Sequence, residues 1–95
     1  MYKAQEIKEL LSPIMKKYNV KSAILFGSVA KNSATDKSDV DILVNSGLKG
    51  ISFYGLLEDI VEKLKTRVDL IDTSQIEPKS KIEQEIKNTG ILIYG

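Results

Sequence analysis

Apolar residues recur along this chain at two spacings, and the switches between them mark out its elements. From Met1 to Tyr18, Ala4, Ile7, Leu11, Ile14, Met15 and Tyr18 return every three or four positions, which predicts a helix with one buried stripe. Pro13 interrupts it. Ser12 could cap a second short helix, so one kinked helix and two helices both satisfy the pattern. Ser22 to Phe26 reads as a short buried strand ended by Gly27, and Ser28 to about Asn32 as a helical turn. A polar loop, Asn32 to Ser38, leads into a second strand, Val40 to Val44, stopped by Asn45-Ser46-Gly47. Ile51 to Thr66 carries the clearest helical stripe: Phe53, Leu56, Leu57, Ile60, Val61 and Leu64. Arg67 to Ile71 reads as a third strand. Pro78 to Asn88 reads as a helix with Ile82 and Ile86 inward and Gly90 just past its end, and Ile91 to Tyr94 as a fourth strand.

Helices alternating with strands predict an α/β (α+β) fold, a four-stranded sheet covered by helices. The link between the first two strands is too brief for a full crossover helix, so they are expected to be antiparallel and the sheet mixed. With 95 residues, residues 1–95 are expected to form one domain.

Composition narrows the chemistry. The chain holds no cysteine and no histidine, which rules out disulfides, thiolate zinc sites, a serine triad and His-ligated metals. Any catalysis rests on carboxylates, Lys, Arg, Tyr, Ser or a metal held by oxygen. A formal net charge of +1 argues against a domain that coats nucleic acid, so no direct nucleic-acid binding is expected. No apolar run approaches the ~20 residues of a membrane span, and no signal-peptide pattern opens the chain. The expectation is a soluble cytoplasmic protein with no membrane partner.

One stretch stands out. "LFGSVAKNSATDKSDVDILV", Leu25 to Val44, places Asp39 and Asp41 at the mouth of an apolar strand. Residues two apart on a strand share a face. Two ionised carboxylates ~4 Å apart repel by about 4 kcal/mol at an effective dielectric of ~20. Lys37 is the sole adjacent cation in the sequence. A divalent cation with oxygen ligands answers that repulsion, and Mg²⁺ commonly takes one or two carboxylates plus substrate phosphates. An Asp-x-Asp pair by itself is also what a solvated strand end looks like, and Gly-Ser by itself is often only a turn. Here Gly27-Ser28 ends a strand and opens a turn, where backbone N–H groups and a hydroxyl suit a phosphate. Asp69, between inward Val68 and Leu70, faces the other way and is a candidate third ligand or general base. Asp72 is out of phase with it and is not expected to join.

Gly27-Ser28, ten residues, then Asp39-Val40-Asp41 resembles the G-S-x10-D-x-D signature of the polymerase-β-like nucleotidyltransferase superfamily, in particular the minimal nucleotidyltransferases, the MNT or MntA-like antitoxins paired with HEPN-type toxins. The likeness covers nearly the whole chain. It implies that Gly27 and Ser28 hold a nucleotide triphosphate, that Asp39 and Asp41 bind two catalytic Mg²⁺ ions, and that Asp69 completes the triad and helps deprotonate the attacking hydroxyl. It implies ATP as substrate and a HEPN-type toxin as partner. Lys31-Asn32 stands where the family often has Arg-Gly. Lys31 keeps the charge for phosphate contact but not the bidentate fork, and Asn32 tolerates a left-handed backbone.

Other aspartate patterns do not fit. "DKSDVD" lacks the mid-loop Gly of a calcium loop, the aspartates precede their strand where an aspartyl-phosphate phosphatase has them after it, and no P-loop is present. The rival reading is a catalytically weak or inactive nucleotide-binding antitoxin that neutralises its partner by contact, with Ile91 to Tyr94 offered as an edge strand, although the same run also reads, and reads better, as a core strand of this domain. Three mutually repelling acids retained beside the Gly-Ser turn favour the enzyme.

Overall fold

A computed structural model describes residues 2–95; Met1, where the first expected helix begins, lies outside them. The elements follow in the order α1 (Ala4–Lys17), β1 (Ser22–Phe26), α2 (Gly27–Ala30), β2 (Val40–Asn45), α3 (Ile51–Leu64), β3 (Val68–Asp72), α4 (Lys81–Thr89) and β4 (Ile91–Tyr94). The first helix is one helix. Pro13 lies within it and is exposed, as is Glu9, so the carbonyl that Pro13 leaves without a donor faces water and not the core.

The four strands form one sheet in the order β3-β2-β1-β4. β1 runs antiparallel to both β2 and β4, while β2 and β3 are parallel and joined through α3. The mixed sheet is the expected one: the helix-bearing connections β2–β3 and β3–β4 carry the chain back to run parallel, whereas the helix-poor link after Phe26 leaves β2 antiparallel to β1. α1 and α3 cover one face: Ile7, Leu11 and Met15 meet Leu56, Ile60 and Leu64 over Ala23, Leu25, Ile42 and Val44, all fully buried or nearly so. Tyr18 Oη donates to Asp59 Oδ2 at 2.8 Å and Lys17 Nζ approaches the same oxygen at 3.1 Å, tying the two helices at their exposed seam. Among the described residues no helix is long and apolar enough to cross a membrane.

Two expected inward positions are corrected. Val61 is 37% exposed, since it lies a full helical step from the line through Phe53, Leu56, Ile60 and Leu64. Ile82 is 39% exposed and Ile86 only half-buried, because α4 lies over the other face of the sheet, beside β1, with only the four-residue α2 as a neighbouring helix to cover its stripe. α4 also starts at Lys81 instead of Pro78: the Ser80 hydroxyl accepts from Glu83 N–H and caps it there. Gly90 does follow the helix, in an extended conformation that leads straight into β4. β4 belongs to the sheet through Ile93, which is buried, and is also its edge, with Leu92 55% exposed.

Asp72 ends β3 on the core face and is buried. Burial pushes its carboxyl up, but hydrogen bonds from Ser46 and Ser74 outweigh burial together and hold it down at about 2. Asp72→Ala strands these donors. We expect it to cost about 2 kcal/mol, enough to lower Tm by about 8–16 °C in a chemical or thermal melt. A folded pKa below the unfolded one adds stability above the unfolded value, so the wild type should lose this contribution as pH falls from about 4 towards 2.

Candidate active site

The face of the sheet turned away from α1 and α3 carries the acids. The antiparallel register sets Phe26 opposite Asp41, and the parallel register sets Asp41 opposite Asp69. One row, Phe26–Asp41–Asp69, therefore crosses three strands on one face. The alternation that buries Val40 and Ile42 in the core, and Leu70 beside them, is what turns both aspartates the other way.

Gly27 closes the row from above. It leaves β1 with φ of 77° and opens α2, and a Cβ built on it would run into Asp41 Oδ2. Only a glycine lets the chain turn there with the carboxylate so near. Its N–H donates to Thr89 Oγ1 at 3.0 Å, and that hydroxyl donates to the Glu85 carbonyl at 2.7 Å, so α4 is pinned to the start of α2. Ser28 follows on the first turn of α2, half-exposed. Lys31 is exposed at its end, and Asn32 takes φ of 60°, the left-handed conformation anticipated for it.

The electrostatics centre on Asp41. Burial raises its carboxyl first, then the negative charges of Asp69, Glu85 and Asp39, to about 6. Asp39 stands just before β2 and is more open. Its Oδ1 lies 2.9 Å from Arg67 Nε, with the two side chains 48% and 73% exposed. Arg67 also donates through Nη2 to the Lys37 carbonyl at 2.6 Å. The structure thus places Asp41 and Asp69 side by side and holds Asp39 at the rim.

Three residues escaped the sequence reading. Arg67 is remote from Asp39 along the chain, and only the β2–β3 register brings it to that acid. Glu85 faces the site with Thr89, one helical turn on; their i,i+4 spacing was visible, but nothing in sequence says which face of α4 meets the sheet. Because the Arg67–Asp39 pair is exposed, Arg67→Gln should cost no more than about 1 kcal/mol, while enlarging the thermal shift that magnesium produces. Scanning fluorimetry with and without magnesium checks both.

The donor set suits a divalent cation. It is all carboxylate, it carries surplus negative charge at Asp41, and Mg²⁺ needs only one or two protein carboxylates when substrate phosphates complete its shell. Among the described residues no three acids stand close enough together to enclose an ion by themselves.

Residues 5–95 match the model of the family described as Polymerase beta, Nucleotidyltransferase. The chain belongs to that family. Among its relatives, this nucleotidyltransferase is 39% identical over 93 residues to a Methanocaldococcus jannaschii protein named "Putative protein adenylyltransferase MJ0126", covering 85% of this chain and 92% of that one. Its fold is similar to a chain in the crystal structure of a toxin–antitoxin with AMP-PNP, with a TM-score of 0.76 and 22% identity over 93% of this chain and 73% of that chain. It is likewise similar to a chain of the tri-AMPylated Shewanella oneidensis HEPN toxin in complex with MNT antitoxin, with a TM-score of 0.71 and 22% identity over 97% and 72% of the two chains. At that identity the likeness is one of fold: the small mixed sheet with its helices is the nucleotidyltransferase fold.

Proposed function

We propose that residues 1–95 act as one nucleotidyltransferase domain that transfers AMP from ATP to a hydroxyl of a partner protein, a tyrosine of a HEPN-type toxin, and so serve as its antitoxin. The observation that carries this reading is the pairing of Asp41 with Asp69 across β2 and β3, directly beneath the glycine that opens α2. Two carboxylates side by side beneath a glycine turn are what a metal-assisted in-line displacement at phosphorus needs from a protein.

Asp39, Asp41 and Asp69 would hold two Mg²⁺ ions, which when bound supply charge neutralisation for the attacking and departing oxygens. Gly27 and Ser28 would seat the triphosphate, and Lys31 at the end of α2 would meet its charge. Asp69, the open member of the row, takes the proton of the attacking hydroxyl. The hydroxyl oxygen bonds to the α-phosphorus, the bond from that phosphorus to the bridging oxygen breaks, and pyrophosphate leaves. The raised carboxyl of Asp41 is kept ready for a cation: its charge is the one the surroundings most disfavour in the absence of one.

A second reading is favoured by β4. Its edge is open and Leu92 is exposed, a surface on which a catalytically weak, nucleotide-binding antitoxin could neutralise a partner by contact. Purified protein incubated with α-labelled ATP, magnesium and the cognate toxin decides between them. Label on the toxin supports transfer. Neutralisation that survives Asp39→Asn/Asp41→Asn supports contact.

A further inference from the structure

Helix α4 has no fully buried residue. Among the described residues a single side-chain hydrogen bond joins it to another element, and that bond lands on Gly27. The pairing of β1 with β4 explains why. Ile24 lies opposite Leu92 and Leu25 opposite Ile91, so the same register carried two residues further sets Gly27 opposite Thr89. The ladder cannot continue there, because Gly27 already opens α2 and Thr89 closes α4. The Thr89 hydroxyl takes the place of the missing strand acceptor: the Gly27 N–H donates to its Oγ1 at 3.0 Å. Gly90 permits the approach. A Cβ on it would run into the Ile86 carbonyl oxygen and press on Ile24, so a side chain there would push the end of α4 away from β1.

The hydroxyl is held in one orientation. Its own proton goes to the Glu85 carbonyl at 2.7 Å, the bond to the preceding turn that a helical threonine forms readily. That donation fixes the rotamer and leaves the oxygen's lone pairs to Gly27. Gly27 in turn limits Asp41, since it stands so near Oδ2 that a Cβ on it would overlap the carboxylate. A chain of contacts therefore runs from the last turn of α4, through one hydroxyl and one glycine, to an acid of the row. An element with so few buried contacts opens at low free energy, and this tether is what makes its docking felt at the acids.

We infer that Thr89 is a positioning residue for nucleotidyl transfer: it touches no reacting atom, and by tethering Gly27 to α4 it fixes the glycine against Asp41 and so sets where that carboxylate stands. The inference rests on the proposed transfer and adds to it a residue outside the Gly-Ser turn and the aspartates. A lost tether lets the turn drift from Asp41, and a drift of about an ångström is costly to a reaction that depends on alignment. The cost falls on the chemical step, because Thr89 makes no contact that would hold the substrate.

Thr89→Val removes the hydroxyl and keeps the shape, whereas Thr89→Ser keeps the hydroxyl. Ser80→Ala is the matched control, because it loosens α4 at its other end by deleting the cap and leaves Gly27 alone. Hydrogen exchange of the Gly27 N–H, followed by NMR in the metal-free protein, reads the tether directly. It should be about tenfold faster or more in Thr89→Val and within about threefold of wild type in Thr89→Ser. Labelling of the cognate toxin from ATP reads the use of the tether. In Thr89→Val kcat should fall about tenfold or more with KM for ATP within about threefold, while Thr89→Ser and Ser80→Ala keep kcat within about threefold of wild type. Gly27 exchange or kcat within about threefold of wild type in Thr89→Val overturns the inference. So does a fall in kcat that Ser80→Ala reproduces, since the stability of α4 and not the tether would then be the cause. No labelling by the wild type sinks the proposed reaction and the positioning role with it, whereas accelerated Gly27 exchange in Thr89→Val would leave the tether itself standing.

Discussion

Asp41→Asn should abolish nucleotidyl transfer, by on the order of 100–1,000-fold or more, while leaving the metal-free protein as stable as before or more so. The two halves have one cause. Asp41 lies between Phe26 and Asp69, beneath Gly27, where burial and the charges of Asp69, Glu85 and Asp39 push its carboxyl up to about 6. Charging it without a cation costs folding free energy. A carboxyl whose folded pKa exceeds its unfolded value of 3.8 binds more protons when folded, so stability is greatest below about pH 4 and declines as pH rises to about 6. After discounting for solvent screening, this decline is about 1 kcal/mol, or roughly 4–8 °C in Tm. Melting curves in chelator across that range should show it in the wild type and not in Asp41→Asn, and excess magnesium with ATP should restore the wild type selectively. A marked loss of metal-free stability in the variant would make Asp41 a structural residue.

Gly27→Ala should damage both stability and transfer. At φ of 77° an L-residue is strained, by about 1–2 kcal/mol, and the added Cβ meets Asp41 Oδ2. Relief requires Asp41 or the start of α2 to move, which also pulls on the Gly27 N–H bond to Thr89. We expect a total of about 2 kcal/mol or more, lowering Tm by roughly 8–16 °C, and transfer reduced about 100-fold, the usual penalty for displacing a reacting group by an ångström. A double-mutant cycle isolates the contact. In an Asp41→Ala background the clash is gone and only the backbone strain remains, so Gly27→Ala should cost measurably less there. An equal cost in both backgrounds would show that the carboxylate is not what Gly27 makes room for.

Much of this was readable in one dimension because the relevant physics is local. Periodicity located α3 and the strands, since burial on one face imposes it. The short link after Phe26 implied antiparallel β1 and β2, since a brief connection cannot cross over. Boundaries drifted where a single side chain decided them: Ser80 capped α4 three residues later than expected, and Lys65, in a left-handed conformation, ended α3 before Thr66. Ile82 and Val61 were misplaced for another reason. Their spacing fits a stripe, but whether a stripe is buried depends on what lies opposite it.

By itself the sequence determined the identity and phase of the groups: Asp69 alternates out of the core because Leu70 alternates in, and Gly27 ends a strand that Leu25 anchors. The tertiary structure alone decided which charges meet. The β2–β3 register set Asp41 against Asp69 and Arg67 against Asp39, and the docking of α4 brought Glu85 towards the acids. Phase is set by neighbours along the chain, whereas a Coulomb interaction depends on distance through space, and that distance exists only once strands have paired and a helix has packed.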